Sequence, residues 1–304
     1  MIAQDPLFPT EFLSRLERLQ LMARRIAVGR DRAERRSRRT GSSLEFADHR
    51  NYSAGDDLRT IDWNIYGRLE RLFIKLFEEE EDLPVHLLVD ASASMRWMPE
   101  AGGIGPAKFD FARRLAAALA YIGLNHLDRV EVNFFSSRLE RGVGLARGRK
   151  HFRQVLQYLE NPPALDEANT TDLAASMLSL QRQARRRGLV FVLSDFFDPA
   201  GWETAAARLH AARFDVEFVQ ILHPSEVNPG LRGDCRLTDC ETGETMEVTV
   251  DAAISAAYAK ALEGLTSELR DFCRKHGHGF LRATSDLPLE EFVLVMLREG
   301  GLVR

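Results

Sequence analysis

An α/β fold on a mostly parallel sheet is the architecture this sequence predicts, and three observations point to it. From Pro84 onward, strand and helix patterns alternate, as in a chain of βαβ units. Two runs, "PVHLLVD" and "GLVFVLSD", are apolar at successive positions, which marks strands covered on both faces. Both runs end on an aspartate, Asp90 and Asp195, and open α/β sheets bind ligands at the carboxyl ends of their strands. With 304 residues, 45% hydrophobic and 28% charged, the chain has room for one large α/β domain with additions or for two modest domains.

In chain order, Pro9 to Val28 places Phe12, Leu13, Leu16, Leu19, Leu21 and Met22 at helical spacing, so an amphipathic helix is expected, broken by "RRTGSS". Leu44 to Phe77 is dense in polar and aromatic residues, with a turn expected at "SAGDD" and a strand at "RLFIKLF". In this segment Asp56, Asp57 and Arg59 are expected to cap turns and pair, and Trp63 and Tyr66 to pack on a sheet edge. A buried strand follows at Val85 to Val89, then a helix at Phe109 to Leu127, a strand at Val130 to Phe135 and a short antiparallel strand near Leu139 to Val143. Helices are read at Lys150 to Leu159 and Leu173 to Arg187, and "GLVFVLSD" is the second buried strand. A helix at Gly201 to Ala212 leads into the strand "DVEFVQIL". The stretch "CRLTDCETGETMEVTV" reads as a hairpin turning at "ETGE", followed by a long helix from Ala252 to Lys275, the strand "GFLRA" and a helix at Leu289 to Arg298. There is no internal repeat and no low-complexity tract.

Composition excludes several classes. No window approaches the ~18 to 20 apolar residues of a membrane helix, and "MIAQDPLFPT" lacks the basic and apolar parts of a signal peptide, so a soluble, cytoplasmic protein is expected. Cys235, Cys240 and Cys273 are too few for a disulfide framework and lack zinc-ribbon spacing, which makes them free thiols of a reducing compartment. The net charge is −4, unevenly spread: Arg24 to Arg39 is heavily basic and Glu78 to Asp82 is acidic. The basic run raises nucleic-acid binding as one function class, but no aromatic residues interleave it as a stacking platform would require. In "KHGHG", Gly277 is expected to end a helix and leave His276 and His278 exposed.

Three loops carry the candidate chemistry. The first is Asp90-Ala91-Ser92-Ala93-Ser94, the second is "NTTDL" before the helix at Leu173, and the third is "LSDFFD" around Asp195. Hard divalent cations take oxygen ligands, and the small residues between the serines let the loop wrap so that both hydroxyls reach one ion. The same aspartate and serines also serve at helix starts, where they satisfy free N–H groups. An enzyme alternative is a magnesium-dependent phosphohydrolase with Asp90 as nucleophile, though such enzymes carry a second carboxylate two residues on, where this chain has Ser92. The chain contains neither a nucleophile elbow nor a P-loop.

These loops resemble the metal-ion-dependent adhesion site of von Willebrand factor type A domains. Asp90, Ser92 and Ser94 match its Asp-x-Ser-x-Ser element, Thr171 its threonine and Asp195 its distant aspartate. The threonine loop departs from the usual glycine-rich pattern, so Thr170 and Thr171 both stand as candidates, Thr171 favoured because Asp172 and Leu173 follow it. Upstream, "EFADHRNYSAGDDLRTIDWNIYGR", an acidic run and "LLVDASASM" together resemble the bacterial family called domain of unknown function 58, a likeness that covers about Gly41 to Asp198 and includes Lys108, Phe109 and Ala112. The resemblance implies a Rossmann-like von Willebrand factor type A domain at 84–304, behind an N-terminal helix and polar segment at 1–83. It implies a non-enzymatic protein-binding module that holds Mg2+ or Mn2+ and takes an Asp or Glu from its partner. That partner would be a MoxR-type AAA+ ATPase, or its client, in the assembly or maturation of other complexes. Some members carry two membrane helices ahead of this region, and the lack of such a pattern here adds to the cytoplasmic expectation.

Overall fold

The computed structural model describes residues 7–9, 11–19, 40–41, 45–53, 56, 61–69, 71–78, 84–99, 106–126, 128–162, 164, 171–184, 187–198 and 200–299. The basic run Arg24 to Arg39, Thr170, Asp57, Arg59 and residues 79–82 lie outside them. The chain divides into two compact units, Met1–Gly29 with Leu83–Arg304, and Arg30–Asp82.

Helix α1 (residues 11–19) belongs to the large unit, not with the polar segment that follows it in sequence. Phe12, Leu16 and Leu19 recur at helical spacing and, together with Phe8, are buried in the core that the central sheet lines. In the small unit, β1 (Thr40–Gly41), β2 (Glu45–Asn51), α2 (Trp63–Leu69) and β3 (Phe73–Glu78) form a three-stranded antiparallel sheet in the order β1-β3-β2 with one helix. Ile61 and Ile74 pair across it and are buried, and the buried Asp62 accepts the backbone N–H groups of Asn64 and Ile65 at the start of α2. Asp56 caps the "SAGDD" turn through Ser53 N and pairs with Arg50 at 2.9 Å. Trp63 and Tyr66 pack edge to face on each other and are exposed.

The rest of the large unit runs β4 (Pro84–Asp90), α3 (Ala93–Arg96), α4 (Lys108–Asn125), β5 (Arg129–Phe135), β6 (Val143–Ala146), α5 (Arg149–Glu160), α6 (Leu173–Gln183), β7 (Leu189–Ser194), α7 (Glu203–Ala211) and β8 (Asp215–Leu222). It continues with α8 (Pro224–Val227), β9 (Gly233–Thr238), β10 (Thr245–Val250), α9 (Ala252–His276), β11 (Gly279–Thr284) and α10 (Leu289–Glu299). Six strands form one sheet in the order β11-β8-β7-β4-β5-β6, parallel throughout except for the β5–β6 pair, and β9 and β10 make a separate hairpin. The chain winds outward from β4 in one direction and from β7 in the other, so the switch point lies between these two strands.

Alternation along the strands builds two apolar layers. Leu87, Val89, Phe191, Leu193, Val219 and Ile221 face a core shared with α1, α4, α5 and α10, while Leu88, Val190, Val192, Val216 and Phe218 face one shared with α6, α7 and α9. Every residue of β4 and β7 is buried, as their continuous apolar sequences require. Of the short antiparallel strand expected near Leu139 to Val143, Leu139 makes an isolated antiparallel bridge to Phe135, and the continuous strand runs over Val143–Ala146 after Gly142 N–H donates to the Asn133 side chain. Gly277 ends α9 in the left-handed conformation at φ 73°.

Candidate functional site

At the switch point, Asp90 leaves β4 wholly buried. One carboxylate oxygen accepts the Ser92 N–H at 2.9 Å and the other accepts the Ser194 hydroxyl at 2.6 Å. Ala91 N–H bonds to Phe135 O, which keeps the loop running alongside the end of β5. Ser92 stands at the N-cap of α3, yet its hydroxyl caps no N–H and lies 3.0 Å from the Ser94 hydroxyl. The serines therefore do not spend themselves on a helix end. Burial, and next the charge of Asp195, push the Asp90 carboxyl up to about 7.

Across the switch point, Asp195 follows β7 directly, and Lys108 meets it from the first turn of α4. The Lys108 ammonium donates to Asp195 Oδ2 at 2.7 Å and also to Glu226 of α8, with the lysine 0% and the aspartate 1% exposed. A cation in the first turn of an 18-residue helix opposes the helix dipole, and burial disfavours it further. Burial alone would lower the Lys108 pKa, but the carboxylates of Asp195 and Glu226 reverse the shift and leave it raised. The other oxygen of Asp195 accepts Phe197 N–H, and Phe196 takes a positive φ of 63° to turn the chain there. Glu226 reaches back to His223 N–H, and the buried His223 is held below its usual pKa by burial and by Lys108.

Thr171 lies in the loop that enters α6. Asp172 N–H donates to Ser136 O at the end of β5, Leu173 N–H donates to Asp198 in the loop after β7, and the Asp172 side chain caps α6. These bonds bring the threonine loop to the carboxyl ends of β5 and β7, beside the other two loops. Thr171 is 4% exposed, and both its N–H and its hydroxyl donate to one carboxylate, that of Glu241, at 3.2 and 2.9 Å.

The structure thus places Asp90, Ser92 and Ser94 in one hydrogen-bonded loop, sets Asp195 close enough to Asp90 for their charges to interact, and holds Thr171 under Glu241. Sequence reading missed four participants. Lys108 entered only as part of a family likeness, although a lysine heading the alanine-rich, apolar run of α4 is a signal of burial. Ser194 adjoins Asp195 at a strand end, where its partner across the sheet decides its role. Glu226 and Glu241 carry no signal, because each is one glutamate among many and becomes distinct only by where its element folds. Among the described residues, no group of three or more His, Cys, Asp and Glu side chains is arranged to hold a metal. His210, His276 and His278 do cluster, with His210 Nδ1 and His278 Nε2 3.2 Å apart, away from these loops at the end of α9.

Comparison with known proteins places this geometry among relatives. The chain is 28% identical over 246 residues to the uncharacterized protein Rv1480 of Mycobacterium tuberculosis, covering 81% of this chain and 76% of that protein. It is 32% identical over 142 residues to the uncharacterized protein MAV169 of Mycobacterium avium, covering 46% of this chain and 83% of that one. Among solved structures, similarity extends to the conserved hypothetical protein BatB from Bacteroides thetaiotaomicron, at 12% identity and a TM-score of 0.44, over 72% of this chain and 100% of that one. An aerotolerance-related membrane protein from Bacteroides fragilis matches at 13% identity and a TM-score of 0.44, over 72% and 100%. The descriptions of that protein and of an uncharacterized membrane spanning protein from Vibrio fischeri, 15% identical at a TM-score of 0.24 over 71% and 97%, run against the cytoplasmic location expected from the sequence, and that location is withdrawn. Among the described residues no helix is long and apolar enough to cross a membrane. The family described as "Protein of unknown function DUF58" matches residues 48–266, on both sides of the switch-point loops, and this chain belongs to it.

Proposed function

We propose that this chain is a non-enzymatic, divalent-cation-dependent protein-binding module built on a von Willebrand factor type A-like domain, and that it acts with a MoxR-type AAA+ ATPase in the assembly or maturation of other complexes. The observation that carries the reading is the Ser92–Ser94 pair: cis ligands of an octahedral cation with bonds of about 2.1 Å stand about 3.0 Å apart, which is the separation of these two hydroxyls. The donor set is hard oxygen throughout, the hydroxyls of Ser92, Ser94 and Thr171 with the buried carboxylates of Asp90 and Asp195, which is the set such cations take. Ser92, Ser94 and Thr171 would hold Mg2+ or Mn2+, with Asp90 and Asp195 behind them. Bound there, the cation supplies an electrophilic centre that an acidic side chain of a partner completes. Asp90 orients the serine loop through Ser92 N–H, and Ser194 fixes its second oxygen.

Binding is favoured over phosphoryl transfer by the state of Asp90. Both its oxygens accept hydrogen bonds and it is sealed from solvent, so it is not presented to an incoming phosphoryl group.

Calorimetric titration of the chelator-treated protein with magnesium and then manganese tests the reading, with Asp90→Ala and the double variant Ser92→Ala/Ser94→Ala in parallel. Saturable uptake by the parent, lost in both variants while circular dichroism shows the fold retained, is the expected result. A pull-down of the ATPase with and without chelator then tests the partner. Equal ATPase binding by parent and variants would make the site structural.

A further inference from the structure

The hairpin formed by β9 and β10 stands outside both apolar layers, with the side chains of its strands largely in solvent, Leu237 and Met246 among them. Its tip nevertheless reaches the site. Asp239 accepts the N–H groups of Glu241 and Thr242, at 2.7 and 3.0 Å, and Gly243 closes the turn at φ 73°. So fixed, Glu241 presents its carboxylate to the N–H and hydroxyl of Thr171. An acidic side chain, on an exposed and thinly packed element, therefore sits on the Thr171 hydroxyl of the proposed cation site, which among the described residues no other side chain holds.

We propose that Glu241 is the site's resident acidic ligand, and that a partner's acidic segment binds by displacing the β9–β10 hairpin from Thr171. This rests on the reading of the site as a cation-dependent binder of acidic side chains. A tethered ligand competes at an effective concentration on the order of millimolar, so it weakens a partner in trans without any change in the partner's own contacts. Elements with few buried contacts open at low cost, which lets the hairpin leave while the sheet stays intact.

The probe is a labelled synthetic peptide of residues 236–247 with Cys240→Ser, measured by anisotropy in saturating magnesium against the parent, Glu241→Gln and Glu241→Ala. Both variants are expected to bind it about tenfold more tightly than the parent, the gain vanishing for a peptide whose own Glu241 is Gln. Hairpin amides of the variants should exchange with solvent faster, while those of β4 and β7 stay protected. Equal peptide affinity in parent and variants would overturn the inference. Peptide bound by none of the three would overturn it too, and manganese titration then shows whether the underlying reading fell with it: uptake lost in Asp90→Ala keeps the cation site, and no uptake removes both.

Discussion

Lys108 shows how much a single buried charge commits. Its ammonium has no solvent and leans on Asp195 and Glu226, so removing it strands two carboxylates in a sealed place. Lys108→Met is expected to cost about 3–5 kcal/mol, and adding Asp195→Asn should recover part of that loss; urea denaturation of the single and double variants measures both. Asp128, before β5, is a half-buried acid, its carboxyl pushed by desolvation up to about 6 from an ordinary 3.8. The folded state then holds its proton more tightly than the unfolded one, so its contribution is full below pH 4 and is lost as pH rises to about 6. Asp128→Asn should flatten this part of the profile, by about 1 kcal/mol once partial exposure is allowed for, in denaturation midpoints taken between pH 4 and pH 7.

At the scale of elements, close approach is decisive where β7 begins. A Cβ on Gly188 would meet the Pro84 carbonyl oxygen at 2.0 Å, at the base of the β4–β7 pair. Gly188→Ala should therefore destabilise the protein by about 3 kcal/mol, seen as an earlier thermal transition, because two strand backbones must part. A milder case is Asp251, whose side chain accepts Ile254 N–H at the start of α9. Asp251→Ala is expected to lose about 1 kcal/mol in the same assay without touching the switch-point loops. Elements of this size were legible to different degrees. The buried strands and long helices announced themselves by continuous or helical apolar spacing. The short α3 and α8 have too few residues for any period, and β2 with "EFADHRN" hides its strand under charges because its identity comes from pairing with β3.

For the molecule as a whole, a ligand that binds only the folded state raises its stability by mass action. Magnesium at about a hundred times its dissociation constant should add about 2.7 kcal/mol, read as a rise in melting temperature that disappears in Asp90→Ala. Sequence alone determined the fold class, the two central strands and the loops that end them, since these depend on local patterns: runs of apolar residues, helical spacing, and an aspartate closing each run. It also isolated Asp90, Ser92, Ser94 and Asp195 as polar residues where a core would have none. Tertiary structure alone decided which side chains meet. It drew α1 into the large unit because three apolar residues on one face needed a core, set Lys108 between Asp195 and Glu226, 87 and 118 positions away, and brought Glu241 to Thr171 from 70 residues on. Such pairings rest on electrostatics and hydrogen bonding between elements, and the order of strands in the sheet, which no local period encodes, fixes which elements face one another.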